Sequence, residues 1–329
     1  MLRYLPKTDM RRISEGMTLS PTLTRRAFAK SATLAASAML LPHTVALAGA
    51  PEAKPDAKLA KLKVGHTGIT WSNDHVEQAV AAIASLGFYG FETFGEVLEK
   101  WETQGGFGQL LERNHIPLIS SYCNVNLVDT SKKSEELEKA VRRAKLIKKY
   151  GGRIMVVGPI SVDRATYKFA DHKTDIVTML NETAKAVSGE GITAVLHQHT
   201  GTCVESRDET YSVMHAVDTR YVKFGPDIGQ LTKGGSDAVQ VVKDFLPLIE
   251  HMHVKDYNGL DSHLLGYCPL GQGKADIPAI LKLMEDKKID GMIMGELDND
   301  WGNPSPTPPL DLIRASKSYL QTLGVKFRA

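Results

Sequence analysis

His197 and His199 stand one residue apart at the end of an apolar run, in Ala194-Val-Leu-His-Gln-His-Thr-Gly-Thr202. Alternate side chains of an extended chain share a face, so both imidazoles would be presented to the same side. A neutral imidazole is a good metal ligand, and its ordinary pKa near neutrality also suits proton transfer. The nine residues assign neither role, and two histidines packed at a loop mouth would read the same way. Three other stretches offer related chemistry: Asp227 in PDIGQLTKGG (226–235), His253 in HMHVKD (251–256) and Glu296 in GELD (295–298). Taken singly, Asp227 reads as a cap, His253 as a core histidine and Glu296 as a loop acid. Taken together, they form an oxygen and nitrogen donor set with no thiolate. Such a set suits one divalent ion, whether Mn²⁺, Co²⁺, Mg²⁺, Fe²⁺ or Zn²⁺.

These residues are useful only if the chain brings them together. From Lys63 onward, short β-branched or apolar runs alternate with amphipathic segments. The runs lie near 64, then at 89–94, 116–123, 153–158, 192–199, 221–228, 251–256 and 291–297. Several helical segments between them open after Ser or Asp and close at Gly, as capped helices do. Eight such units predict an α/β fold, a (β/α)₈ TIM barrel. An open doubly wound sheet would be expected to carry GxGxxG after its first strand, and none is present. Barrel chemistry collects at the C-terminal ends of the strands. Those ends read His66, Glu92, Tyr122, His197 with His199, Asp227, His253 and Glu296.

The whole chain narrows the classes. Its 329 residues, 42% of them hydrophobic, accommodate one barrel and a leader. Lys and Arg number 40 against 38 Asp and Glu, a near balance that argues against a nucleic-acid partner. Cys123, Cys203 and Cys268 are far apart, so no disulfide framework is expected. Near the N-terminus, Thr24-Arg-Arg-Ala-Phe-Ala-Lys30 precedes a short apolar, small-residue run and TVALAGA. This resembles a twin-arginine (Tat) leader, with cleavage after Ala48 or Ala50. The expected organisation is a Tat signal peptide at 1–50, a polar tether at 51–62 and a single barrel at 63–329. The Tat translocase is then a transient partner, and the periplasm the destination.

The motifs HQHTGT (197–202), PDIGQLTKGG, HMHVKD, PLGQGKADIPAIL (269–281) and GELD resemble the sugar phosphate isomerase/epimerase superfamily of xylose isomerase-like barrels. The resemblance is greatest to its inosose dehydratase and 3-keto-glycoside lyase-hydratase branch. It covers roughly Lys63 to Gly324. It implies a divalent metal held by four strand-end side chains, three of them matching Asp227, His253 and Glu296. The fourth is commonly a Glu, and here His197 takes its place. The resemblance then implies His197 as ligand and His199 as the acid–base group, with an exchange of the two roles left open. Gln230 also departs from the His common among relatives, which bears on substrate contact.

Simple epimerisation uses two carboxylates on opposite faces of a sugar, and the histidine at 197 removes one of them. The expectation is an exported metal-dependent lyase or hydratase acting on a keto-sugar, either a 3-keto-glycoside or an inosose. A base takes the proton beside the ketone and a leaving group departs. Lys255 and Glu92 are expected to orient substrate hydroxyls, and Trp71 and Trp301 to wall the sugar ring. A metal-dependent sugar isomerase or epimerase is the alternative. A nuclease of the same superfamily is opposed by Gln230, the leader and the charge balance. A sugar-binding protein without activity is opposed by the intact Asp227, His253 and Glu296. The expected partner is a small carbohydrate, and a homo-oligomer is compatible with the family's habit of association.

Overall fold

A computed structural model describes residues 59–289 and 293–329. The expected leader and the tether as far as residue 58 lie outside the described residues. The last part of the expected tether does not behave as one. Leu59 and Leu62 are buried in the main hydrophobic cluster, and the Leu59 N–H donates to Leu323 O at 3.2 Å. Two leucines spaced three apart are enough to tie this polar-looking segment to the domain. The packed body therefore includes Leu59, four residues before Lys63.

The strands are β1 (Val64–Thr67), β2 (Phe91–Phe94), β3 (Leu118–Val125), β4 (Ile154–Pro159) and β5 (Thr193–Leu196), then β6 (Val222–Phe224), β7 (Met252–Val254), β8 (Asp256–Tyr257), β9 (Tyr267–Cys268) and β10 (Ile293–Gly295). All but β8 and β9 form one parallel sheet, in the order β6-β5-β4-β3-β2-β1-β10-β7. Single parallel bridges, Phe224 to Ile249 and Asp227 to His253, join the two outer strands and complete the ring. The second bridge sets two of the candidate ligands side by side. This is the expected (β/α)₈ architecture, with its eight strands in the eight predicted runs. Strands buried on both faces should read as continuous apolar runs, and β4 is buried along its whole length. Ile154, Val156 and Val195 fill the barrel interior beneath Tyr122, while the larger cluster lies between sheet and helices.

The predicted amphipathic segments form helices at Val76–Ser85, Lys133–Lys149, Phe169–Gly189, Ala238–Asp244, Ile277–Lys287 and Pro309–Thr322. Further helices were not anticipated. Gly95–Gln104 and Phe107–Arg113 are helices, broken by Gly105 and Gly106 at positive φ. Neither carries a side-chain N-cap, so the usual start signal is missing. The six-residue helix Ile228–Lys233 starts directly after Asp227, whose Oδ1 accepts from Gln230 N–H at 2.9 Å. Six residues are too few to show a period. Gly229 is required there, because a Cβ would lie 2.7 Å from Lys255 Cβ.

The ribbon β8–β9 and the loop after it are organised by one buried carboxylate. Asp256 accepts backbone N–H groups from Gly271 (3.0 Å), Gly273 (2.8 Å), Ala275 (3.1 Å) and Tyr257 (2.9 Å). A Cβ at Gly273 would sit 2.1 Å from Asp256 Oδ1, which accounts for the glycine in PLGQGK. Asp256 thus shapes a loop, whereas its neighbour Lys255 faces the site. Asp256→Ala leaves these donors unpaired and is expected to cost at least about 1.5–3 kcal/mol. An unchanged denaturant midpoint in that variant would show that the loop contributes nothing to stability.

Candidate active site

A cavity of about 190 Å³ opens at the C-terminal ends of the strands. Its floor is polar, with Glu92, His197, His199 and Glu296, and its wall is apolar, with Ile69, Phe94 and Tyr122. Among the described residues no helix is long and apolar enough to cross a membrane. The three cysteines are free and buried.

His197 follows directly on β5, and its backbone N–H still pairs with Val157 O at 3.0 Å. Its Nδ1 lies 3.2 Å from Gly225 O, so Nδ1 carries the proton and donates. Nε2 is left as a bare lone pair, 3.9 Å from Asp227 Oδ2. Burial holds the imidazole well below its ordinary pKa, with His253 and His199 adding to the effect. A neutral ring with one nitrogen fixed by a carbonyl is the form in which histidine binds a metal.

His199 lies beyond the strand, in a turn where its N–H pairs with Val204 O at 3.0 Å. The two rings still face the same cavity, with centroids 6.1 Å apart. Nδ1 of His199 donates to Thr200 O at 2.7 Å. Its Nε2 meets Gln230 Nε2 at 2.7 Å. Gln230 Oε1 accepts from the Thr200 hydroxyl at 2.6 Å, which orients the amide so that its NH₂ donates to His199. Gln230, expected to bear on substrate contact, is buried and absent from the cavity lining, and it contacts His199 instead. Burial, then the Lys255 ammonium, lowers the pKa of His199, so the ring is neutral with Nε2 as its basic atom.

His253 lies between two carboxylates. Its Nε2 is 2.8 Å from Glu92 Oε1, and its Nδ1 is 3.1 Å from Glu296 Oε2. Burial opposes its charge, but Glu296 and Glu92 outweigh burial and raise its pKa to about 9. Burial, with Asp298 and Asp227 nearby, raises Glu296 to about 7. Lys255 is fully enclosed, its Nζ 2.9 Å from Asp227 Oδ2, 2.5 Å from Glu296 Oε1 and 3.0 Å from Asp298 Oδ1. Despite burial, these carboxylates hold its pKa well above the ordinary lysine value. Lys255 is thus a fixed cation and hydrogen-bond donor, unsuited to act as a base.

The other expected site residues take different places. Glu92 borders the cavity, but the protein occupies both of its oxygens, so it has no free oxygen for a substrate hydroxyl. Oε2 accepts from Ser120 Oγ at 2.5 Å and lies 2.8 Å from His251 Nε2, while Oε1 faces His253. The imidazoles outweigh burial and keep its pKa well below the ordinary carboxylate range. Trp71 is buried in the hydrophobic cluster and is absent from the cavity lining; its ring packs rather than walls a sugar. Trp301 is 44% exposed at the rim, its Nε1 donating to Ile69 O at 3.1 Å and its ring edge-on to Phe94. His251, Ser120 and Asp298 were not singled out from the sequence, although His251 opens the HMHVKD motif and Asp298 closes GELD.

The donor set fits a divalent cation. His197, Asp227 and His253 present ligand atoms within 4.8 Å of one another, and Glu296 adjoins them. Among the described residues, Asp227 Oδ2 and His253 Nδ1 have no aligned hydrogen-bond partner, although each lies beside an opposite charge. Four buried carboxylates, Glu92, Asp227, Glu296 and Asp298, make direct contact with one ammonium and the His253 ring. Even with His253 protonated, two cations face four carboxylates, and the raised pKa of Glu296 reflects that excess of negative charge. Buried charges are ordinarily paired or bound to metal.

The family model for the xylose isomerase-like TIM barrel matches residues 80–323. The inosose dehydratase of Clostridium perfringens (strain 13 / Type A) is 24% identical over 298 residues, covering 80% of this chain and 97% of that protein. The crystal structure of the IOLI protein with a bound zinc atom has a TM-score of 0.65 at 16% identity, covering 80% of this chain and 98% of that one. The apo 3-keto-D-glucoside 4-epimerase from E. coli has a TM-score of 0.64 at 16% identity, covering 79% of this chain and 99% of that one. The two structural likenesses share the fold. The chain belongs to the xylose isomerase-like TIM barrel family.

Proposed function

We propose that this member of the xylose isomerase-like TIM barrel family is an exported, divalent-metal-dependent carbon–oxygen lyase or hydratase. Its substrate class is a keto-sugar, either a 3-keto-glycoside or an inosose. The observation that carries the reading is the buried cluster of His197, Asp227, His253 and Glu296 beside a cavity that also contains a neutral histidine. The inosose dehydratase relatives support the reaction class.

His197 Nε2, Asp227, His253 and Glu296 would hold the ion, whose identity stays open among Mn²⁺, Co²⁺, Mg²⁺, Fe²⁺ and Zn²⁺. When bound, such an ion supplies Lewis acidity toward a ketone oxygen. His199 Nε2 takes the proton from the carbon next to the ketone, and Gln230 swings away to expose the lone pair. The electrons of that C–H bond form a C=C bond to the adjacent carbon, whose C–O bond breaks. The departing oxygen leaves as water or an alcohol, taking up the proton that His199 carries. Lys255, held protonated by Asp227, Glu296 and Asp298, is a fixed positive charge behind the cavity, with its three N–H donors committed to those carboxylates. The apolar wall of Ile69, Phe94 and Tyr122 suits a ring face and limits water.

A sugar epimerase remains the second reading. The observation favouring it is that Glu92 and Glu296 both border the cavity. Against it, three protein groups occupy Glu92. The metal part of the proposal is tested by chelation. Turnover of a keto-sugar panel is expected to vanish in metal-stripped protein and to return with one equivalent of divalent ion. Full activity after stripping would remove the metal from the account.

The leader is part of the same proposal. Changing both Arg25 and Arg26 to Lys is expected to strand the precursor in the cytoplasm, because the paired arginines are the recognised feature. An unchanged periplasmic yield on fractionation would point to another route.

A further inference from the structure

We propose that Glu92 is a positioning residue that fixes the ring nitrogen His253 presents to the metal. The inference rests on the metal reading above. Its geometry is a buried network that runs inward from Glu92 in the cavity floor to Ser120, His251 and His253 behind it. Glu92 Oε1 is 2.8 Å from His253 Nε2. Glu92 Oε2 takes the Ser120 hydroxyl at 2.5 Å and His251 Nε2 at 2.8 Å. All four residues are 2% exposed or less.

A carboxylate has acceptors only, so both imidazoles facing Glu92 must donate from Nε2. In a singly protonated ring the proton then sits on Nε2, and Nδ1 is a lone pair. For His253 that lone pair points toward Glu296, where the candidate ligands meet. For His251, Nδ1 is buried without a partner among the described residues. A bare lone pair there is tolerable, whereas an unpaired N–H would cost more, so His251 also holds its proton on Nε2. Ser120 and His251 satisfy Oε2, which leaves Oε1 to serve His253. The register of the barrel makes the arrangement possible, because Glu92 on β2 pairs directly with Ser120 on β3.

An amide at position 92 would break this logic. Glu92→Gln keeps the shape but offers one acceptor and one donor where two acceptors are needed. One imidazole would then face an NH₂ and be pushed toward the Nδ1–H tautomer. Partners of metal-bound histidines typically govern about 10–100-fold in metal affinity.

The test is calorimetric titration of the purified barrel with Zn²⁺ and Mn²⁺. Glu92→Gln is expected to bind each ion about 10–100-fold more weakly than wild type. Ser120→Ala removes a donor to Oε2 and leaves the His253 bond, and it is expected to bind within about threefold of wild type. If Glu92→Gln fails to fold, ¹⁵N NMR of zinc-loaded wild-type protein reads the assignment directly, through a proton bound to Nε2 of His253. Equal affinity in Glu92→Gln and wild type would overturn the proposal, as would an equal loss in Ser120→Ala or a proton on Nδ1. Wild-type protein that binds neither ion would instead remove the metal reading, and this inference with it.

Discussion

His199→Ala is expected to lower turnover of the keto-sugar substrate by about 10²–10⁴ while leaving the metal in place, the range a positioned general base usually supplies. The geometry separates these two effects. Nε2 of His199 faces Gln230 rather than the ligand cluster, and His199 is not among the grouped ligand atoms of His197, Asp227 and His253. Its Nδ1 is committed to Thr200 O, so the ring has one basic nitrogen and it borders the cavity. His199→Gln is expected to behave like the alanine variant, since an amide can hydrogen-bond with Gln230 but cannot carry the proton. Solvent deuterium exchange at the carbon beside the ketone should disappear with it. Near-normal turnover would show that His199 only packs, and loss of metal would show that it is a ligand.

The second large effect is expected at the ligand cluster. Glu296→Gln keeps the shape of the side chain and removes one negative charge beside Asp227 and His253. Both metal content and turnover are expected to fall to background. His253→Ala should do the same, but with a stability cost. It strips Glu92 Oε1 of its partner, and breaking a buried ion pair typically costs about 3–5 kcal/mol. Its melting temperature must therefore be measured beside its metal content. Full metal occupancy in a folded Glu296→Gln protein would remove Glu296 from the site.

Much of this arrangement was legible in the sequence because a parallel barrel converts order along the chain into convergence in space. Asp227, His253 and Glu296 each end a strand run, and the closing bridge from Asp227 to His253 places two of them side by side. The histidine pair was also legible as facing one cavity, although His199 reaches it from a turn instead of from the strand. What the sequence could not show is who saturates whom. Glu92 reads as a free strand-end acid, yet its partners come from 28 and 159 residues away. Lys255 reads as a substrate contact until three carboxylates are found around its Nζ. Trp71 and Trp301 look equivalent as aromatic residues, and only burial distinguishes the core ring from the rim ring. Such pairings depend on register between distant strands and on side-chain direction. Periodicity along a single segment carries neither.

The charge pattern of the site explains why these details matter for chemistry. A cluster of buried carboxylates is costly without compensation, and Lys255 with His253 offsets only part of it. A divalent ion would supply the remainder at the place where a ketone oxygen must be polarised. Neutral His199 borders the same cavity, where the proposed reaction needs a proton acceptor. Under the proposed function, those features suit elimination better than the two-carboxylate exchange of an epimerase.

The most direct measurement is the mass of the product. Purified, metal-loaded protein should be incubated with a 3-keto-glycoside and with an inosose, and the products weighed by mass spectrometry. Elimination gives a product lighter by the departing alcohol in the first case and by one water in the second. A product of unchanged mass from a consumed substrate would contradict it and identify the enzyme as an isomerase or epimerase.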